Sequence, residues 1–242
     1  MRIAKTIEPL RAIASLFYPP TCAICGAAIA SAEYLCQACE DKTQRIVPPF
    51  CQKCSEPFAG AIDTEFTCAN CAHRKVWFDA AVSAYRSRGI VRHLILQFKY
   101  NRQLHLRHPI GRWLIGAMND PRLQNRRFDL IIPVPLHPAR LRERGFNQAH
   151  LLATIVGEKI GAPVSTALER IRYTRTQTAF DRTERMENLR DAFRLRKKTS
   201  ARELQVLLVD DILTTGSTLS ECARVLREAG ARSIHAVTAA RA

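Results

Sequence analysis

Val206-Leu-Leu-Val-Asp-Asp-Ile-Leu-Thr-Thr-Gly-Ser-Thr-Leu219 decides how the chain is read. Val206 to Val209 is an unbroken apolar run, the mark of a parallel strand buried on both faces. It ends in two adjacent carboxylates, Asp210 and Asp211. Thr214, Thr215, Gly216, Ser217 and Thr218 follow, and a helical pattern then runs from Leu219 to a stop at Gly230. The reading is strand, turn, helix. Thr218 and Glu221 have capping-box spacing, and Gly230 suits a left-handed C-terminal position. A glycine-containing turn at a helix N-terminus forms an anion cradle from backbone N–H groups, helped by the helix dipole. The hydroxyls add donors to phosphate oxygens. Two carboxylates cannot bind that phosphate. They can accept from sugar hydroxyls or sit near hydrated Mg²⁺. A 5-phosphate with a ribose diol beside it fits both halves.

The stretch Leu207–Leu219 resembles the thirteen-residue 5-phosphoribosyl-1-pyrophosphate (PRPP) signature of type I phosphoribosyltransferases. By that resemblance Asp210 and Asp211 hold the ribose hydroxyls at the catalytic centre, and Thr214, Thr215, Gly216, Ser217 and Thr218 wrap the 5-phosphate.

Eight of the nine cysteines form four C-x-x-C pairs: Cys22/Cys25, Cys36/Cys39, Cys51/Cys54 and Cys68/Cys71. Each pair places two thiolates on one knuckle, and two knuckles complete a tetrahedral Zn²⁺ site. Gly26 supplies the positive φ such a knuckle needs. Sequential pairing gives two sites, Cys22, Cys25, Cys36, Cys39 and Cys51, Cys54, Cys68, Cys71; crossed pairing stays open. Four thiolates leave no open position, so these sites are structural. The module resembles a double zinc ribbon. The ninth cysteine, Cys222, lies on the helix after the cradle and reads as core.

The formal net charge is +15 over 242 residues, with 37 Lys and Arg against 22 Asp and Glu. The excess is not uniform: residues 86–127 hold 10 basic and 1 acidic side chains, and residues 140–202 hold 15 and 7. Such a field suits a polyanion, either the pyrophosphate of PRPP or nucleic acid. No apolar run approaches the roughly 18 residues of a membrane span. The first residues lack the apolar core of a signal peptide, so a cytoplasmic location is expected.

The rest of the chain fills in the plan. Residues 1–20 form an amphipathic segment, with Ile3, Ile7, Leu10 and Ile13 at helical spacing. Residues 76–86 alternate as a strand. Helices are expected over Gly89–Tyr100, near Ile110–Met118, and from Asn147, a cap, through Gln148–Ile160 to Gly161. Phe128–Pro135 is a second buried strand. The segment after it reads as a loop carrying His137, Arg140, Arg142 and Arg144, where α/β sheets bind ligands. Residues 162–203 show no strong periodicity, and Ser233–Thr238 is a last strand. Lys99 reads as a surface lysine or a phosphate contact.

Pro133-Val-Pro-Leu-His137, Arg144-Gly-Phe-Asn-Gln148, Thr176-Gln177, Arg185 and Asn188 together resemble the ComF family, which includes ComFC and GntX-type proteins. The resemblance implies an α/β fold: a type I phosphoribosyltransferase-like parallel sheet flanked by helices, behind an N-terminal double zinc ribbon. It divides the chain into 1–20, 21–75 (double zinc ribbon) and 76–242 (phosphoribosyltransferase-like domain). It brings Leu136, His137 and Arg144 to the pyrophosphate and makes Arg172–Arg190 a hood over the acceptor base. The ligands implied are PRPP or a nucleotide 5-phosphate with Mg²⁺, alongside two structural zinc ions. Three functions fit: a Mg²⁺-dependent phosphoribosyltransferase, a PRPP or nucleotide sensor without turnover, and a single-stranded-DNA-binding accessory factor that works with competence proteins in DNA uptake. Few aromatic residues are interleaved with the arginines, so no base-stacking platform is evident.

Overall fold

The computed structural model describes residues 20–29, 34–60, 62, 64–173, 189–197 and 199–242. The centre is a four-stranded sheet of order β1-β6-β5-β2, every pair parallel. The strands are β1 (Ala80–Arg86), β2 (Leu130–Pro133), β5 (Gln205–Leu213) and β6 (Ser233–Arg241). The first begins later than the alternation at Val76 predicts. Trp77 and Phe78 instead pack beneath the turn after β5, and Trp77 N–H donates to Ser220 Oγ at 3.2 Å. A short antiparallel pair, β3 (Leu168–Arg170) with β4 (Phe193–Leu195), lies in the stretch that carries no periodicity. Strands of three residues are too short to show a period.

Helices cover both faces, as an all-parallel sheet requires. One face takes α3 (Gly89–Tyr100), α4 (Arg107–Ala117) and α6 (Gln148–Ile160). Phe98, Ile110, Leu114 and Leu152 pack there on Leu207, Val209 and Val237. The other face takes α7 (Ser217–Glu228) and the β3–β4 pair. Leu219, Cys222 and Leu226 meet Val206, Leu208 and Ala236 there. Alternate residues of β5 thus feed different cores, and each fully buried Leu or Val contributes roughly 1.5–3 kcal/mol. Cys222 is a core residue, as its position on α7 predicts.

Two expected caps hold. Asn147 accepts from Ala149 N–H at 2.9 Å and donates to Val134 O at 3.1 Å, tying α6 to the end of β2. Gly230 follows α7 at φ +88°. The capping box does not form. Gly216, at φ +79°, is the N-cap, and α7 starts at Ser217 rather than after Thr218. Glu221 instead binds Arg224 at 2.7 Å and accepts from Asp191 N–H at 2.8 Å. The expected loop after β2 also contains a short helix, α5 (Pro138–Arg144). Proline at its first position and His137 as N-cap make that turn.

The cysteine-bearing region covers the open edge of β1. Ile46 N–H donates to Ala84 O, Arg86 N–H to Gln44 O, and Ala81 N–H to Lys53 O, at 2.8–3.0 Å. Ser55, buried at φ +56°, donates to Ala81 O at 2.9 Å and accepts from Ser83 N–H at 3.2 Å. The backbone groups an edge strand leaves unpaired are therefore met from within the chain. Residues 1–19, with the expected amphipathic segment, lie outside the described residues, as do 174–188, which hold most of the expected hood. No helix among the described residues is long and apolar enough to cross a membrane.

Candidate functional site

Strand β5 delivers Asp210 and Asp211 to the C-terminal edge of the sheet, where open α/β sheets bind ligands. Asp211 is buried, and its Oδ2 lies 2.5 Å from Lys99 Nζ at the end of α3. Lys99 is thus neither a free surface lysine nor a lone phosphate contact. Burial alone would raise the Asp211 carboxyl. Lys99, with hydrogen bonding from Asp210 and the field of Arg144, holds it below its ordinary value instead. Asp210 behaves oppositely. Burial first, then the Asp211 charge, push it well above the usual carboxylate range. Its Oδ1 accepts from Asp211 N–H at 2.9 Å. The two neighbouring carboxyls are thus pushed in opposite directions, Asp210 upward and Asp211 downward.

The turn 214–216 is held from behind. Leu213 O and Thr214 O accept from Arg241, the former at 3.2 Å. Thr215 O accepts from Arg74 and, at 3.3 Å, from Asn70. A peptide unit is planar, with its N–H and C=O pointing opposite ways. Each of these carbonyls is held by a donor, so the N–H groups of Thr214, Thr215 and Gly216 each point away from the donor that holds their own peptide unit. The hydroxyls divide. Thr215 and Ser217 are 9% and 5% exposed and bond each other at 2.9 Å. Thr214 is exposed and Thr218 half-buried. The first pair shapes the turn, and the second pair can reach a ligand.

The segment after β2 supplies cations. Arg144 Nη1 donates to Gln148 Oε1 at 2.5 Å, and its guanidinium lies 5.2 Å from the centre of the Tyr100 ring. His137 Nδ1 caps α5 by accepting from Ala139 N–H at 3.2 Å. Partial burial first, then Arg170, Arg142 and Arg140, lower its pKa. Leu136 is half-buried beside it. A cavity of about 260 Å³ opens here, lined by Lys99, Tyr100, Arg102, Arg140, Glu143, Arg144 and Tyr173. Tyr100 and Tyr173 are 63% and 51% exposed, with Arg144 and Arg140 set against their rings. Two exposed aromatic rings thus stand among the arginines of this cavity. Tyr100 closes a helix and reads from sequence as a helix residue only.

Each cysteine group is local to its own knuckles. Cys22, Cys25, Cys36 and Cys39 bring their sulfurs within 4.8 Å of one another, as do Cys51, Cys54, Cys68 and Cys71. The grouping is the sequential one. Cys25–Cys36 and Cys54–Cys68 sulfurs are 3.6 Å apart, close to the edge of about 3.8 Å of a zinc tetrahedron with 2.3 Å bonds. Gly26 at φ +73° and Ser55 at φ +56° take the same place after the first pair of each group. Cys36 and Cys68 each open a one-turn helix, α1 (Gln37–Glu40) and α2 (Ala69–Ala72). Mutual hydrogen bonding pushes Cys54 up to about 12 and Cys51 far down. Four packed thiols resist joint ionisation without a cation, so both groups fit zinc.

Residues 13–72 match the double zinc ribbon domain, and residues 144–242 match the phosphoribosyl transferase domain. Competence protein F of Haemophilus influenzae is 31% identical over 86% of this chain and 90% of that protein. The chain belongs to the ComF family. The DNA utilization protein YhgH of Salmonella typhimurium is 30% identical over 90% of this chain and 96% of its own length. Competence protein ComFC of Bacillus subtilis is 28% identical over 82% and 80%. The sheet with its flanking helices is the phosphoribosyltransferase-like fold of the family, behind its double zinc ribbon.

Proposed function

We propose that this ComF-family protein binds PRPP and transfers its phosphoribosyl group to an acceptor. The turn after β5 carries the proposal, because its carbonyls are drawn back by Arg74, Arg241 and Asn70 while its N–H groups face the other way. In this reading Thr214 to Thr218 hold the 5-phosphate at the start of α7. Asp211 accepts from one ribose hydroxyl and Asp210 donates to or accepts from the other. Leu136 and His137 amides and Arg144 face the pyrophosphate. Displacement at C1 passes through a transition state with oxocarbenium character, so the leaving group's charge needs stabilising more than the protein needs a nucleophile. Arg144, Arg140 and Arg102 around the cavity supply that field. Lys99 already neutralises Asp211, so magnesium is best carried on the ligand's phosphates and hydroxyls, where it adds charge neutralisation. The two zinc ions are structural.

Calorimetry with PRPP and Mg²⁺ tests the site. Binding is expected for the parent protein and lost in Asp210→Asn with Asp211→Asn; binding unchanged in that variant rejects the assignment. Pyrophosphate release with a panel of nucleobases separates transfer from sensing.

The basic stretch 86–127 favours a second reading, in which the protein handles single-stranded DNA in uptake or utilisation, as the relatives' names suggest. Fluorescence anisotropy with an oligonucleotide would then show affinity falling steeply with salt.

A further inference from the structure

The geometry points to Arg74 as a positioning residue of the phosphate cradle, through which the second cysteine group, and not the first, holds that cradle in its binding form. The inference rests on the proposed ligand reading for its ligand arm only. Arg74 stands three residues after Cys71. It reaches Thr215 O and lies 3.4 Å from Ser217 Oγ. A methyl group on Gly216 would sit 3.1 Å from its guanidinium. Asn70, between Cys68 and Cys71 on α2, donates to the same carbonyl at 3.3 Å. Glu56, two residues after Cys54, forms an ion pair with the Arg241 that draws back Leu213 O and Thr214 O. Three side chains of one knuckle region therefore act, directly or through Arg241, on three successive peptide planes of the turn. Cys51, Cys54, Cys68 and Cys71 share a core with Leu213 and Leu219 on either side of that turn. Cys22 and Cys39 instead share a core with α3 and α4. An amide aimed before the ligand arrives needs no reorganisation when it binds.

The test is hydrogen exchange at the amides of 214–217 together with calorimetry of ribose 5-phosphate, on the full zinc-loaded chain with metal content measured. Arg74→Ala is expected to keep both zinc ions, to speed exchange at 214–217, and to weaken ribose 5-phosphate by about tenfold or more. Cys68→Ser in the second group should speed the same exchange. Cys25→Ser, at the exposed corner of the first group, should leave it at the parent rate. Glu56→Gln, a milder change at a half-exposed side chain, serves if the cysteine variant does not fold. Parent-like exchange in Arg74→Ala, or equal effects from both cysteine groups, overturns the inference. Parent protein that fails to bind ribose 5-phosphate overturns the ligand reading alone, because the exchange arms need no ligand.

Discussion

Asp211 is a buried carboxylate paired with Lys99. Removing one member of such a pair leaves the other charge uncompensated, which costs more than the pair contributes. Lys99→Met should therefore destabilise the fold by about 3 kcal/mol in urea titrations. Adding Asp211→Asn should restore most of that loss, and a purely additive double variant would contradict the pairing. His235 makes a pH-dependent contribution of its own. It is 2% exposed, and burial first, then Arg126, lower its pKa from 6.5 to about 4. The unfolded chain takes up this proton near 6.5, while the folded chain resists until about 4. The unfolded state thus binds more protons across that window. The contribution is intact above about 6.5 and is lost as pH falls toward 4. The loss is on the order of 3 kcal/mol. His235→Leu should flatten the acid limb of urea midpoint against pH; an unchanged limb would assign acid sensitivity elsewhere.

At the scale of elements, the β5–turn–α7 unit is where sequence and structure agree best, and where they differ most usefully. Its strand, its glycine turn and the stop at Gly230 are local signals, readable from neighbours in the chain. Helices α3 and α6 are legible for the same reason. What the unit's local pattern cannot show is the partner of each carbonyl. Arg74 and Thr215 are 141 residues apart, and no periodicity links them. Lys99 and Asp211 likewise come together only through packing of α3 on the sheet. The capping-box expectation fails because Gly216 takes the N-cap place with a positive φ. Alanine there must adopt that φ and also crowd Arg74. Gly216→Ala should cost about 1–2 kcal/mol of stability by thermal unfolding, with a larger proportional loss of ligand affinity.

At the scale of the whole molecule, eight cysteines in four pairs make two thiolate tetrahedra legible before any coordinates, because each knuckle is local. Metal analysis should return two zinc ions per chain, and one would contradict the fit of both groups. Docking of the second cysteine group against the sheet was not legible. Arg122 shows why: it donates to Gln52 O and Ser55 Oγ, both at 3.1 Å, pairs with Asp120 at 2.7 Å, and lies 4.4 Å from the Phe50 ring centre. In sequence it is one arginine among many in a basic stretch.

The hydrogen bonds of residues 44, 46 and 53 to β1 have a practical consequence. A chelator that strips zinc from the knuckles would loosen the very segments that shield a buried-type strand. An apolar sheet margin with open amides is a template for other copies. Metal loss would then be seen as turbidity alongside the loosened cradle, and storage conditions become part of the protein's chemistry.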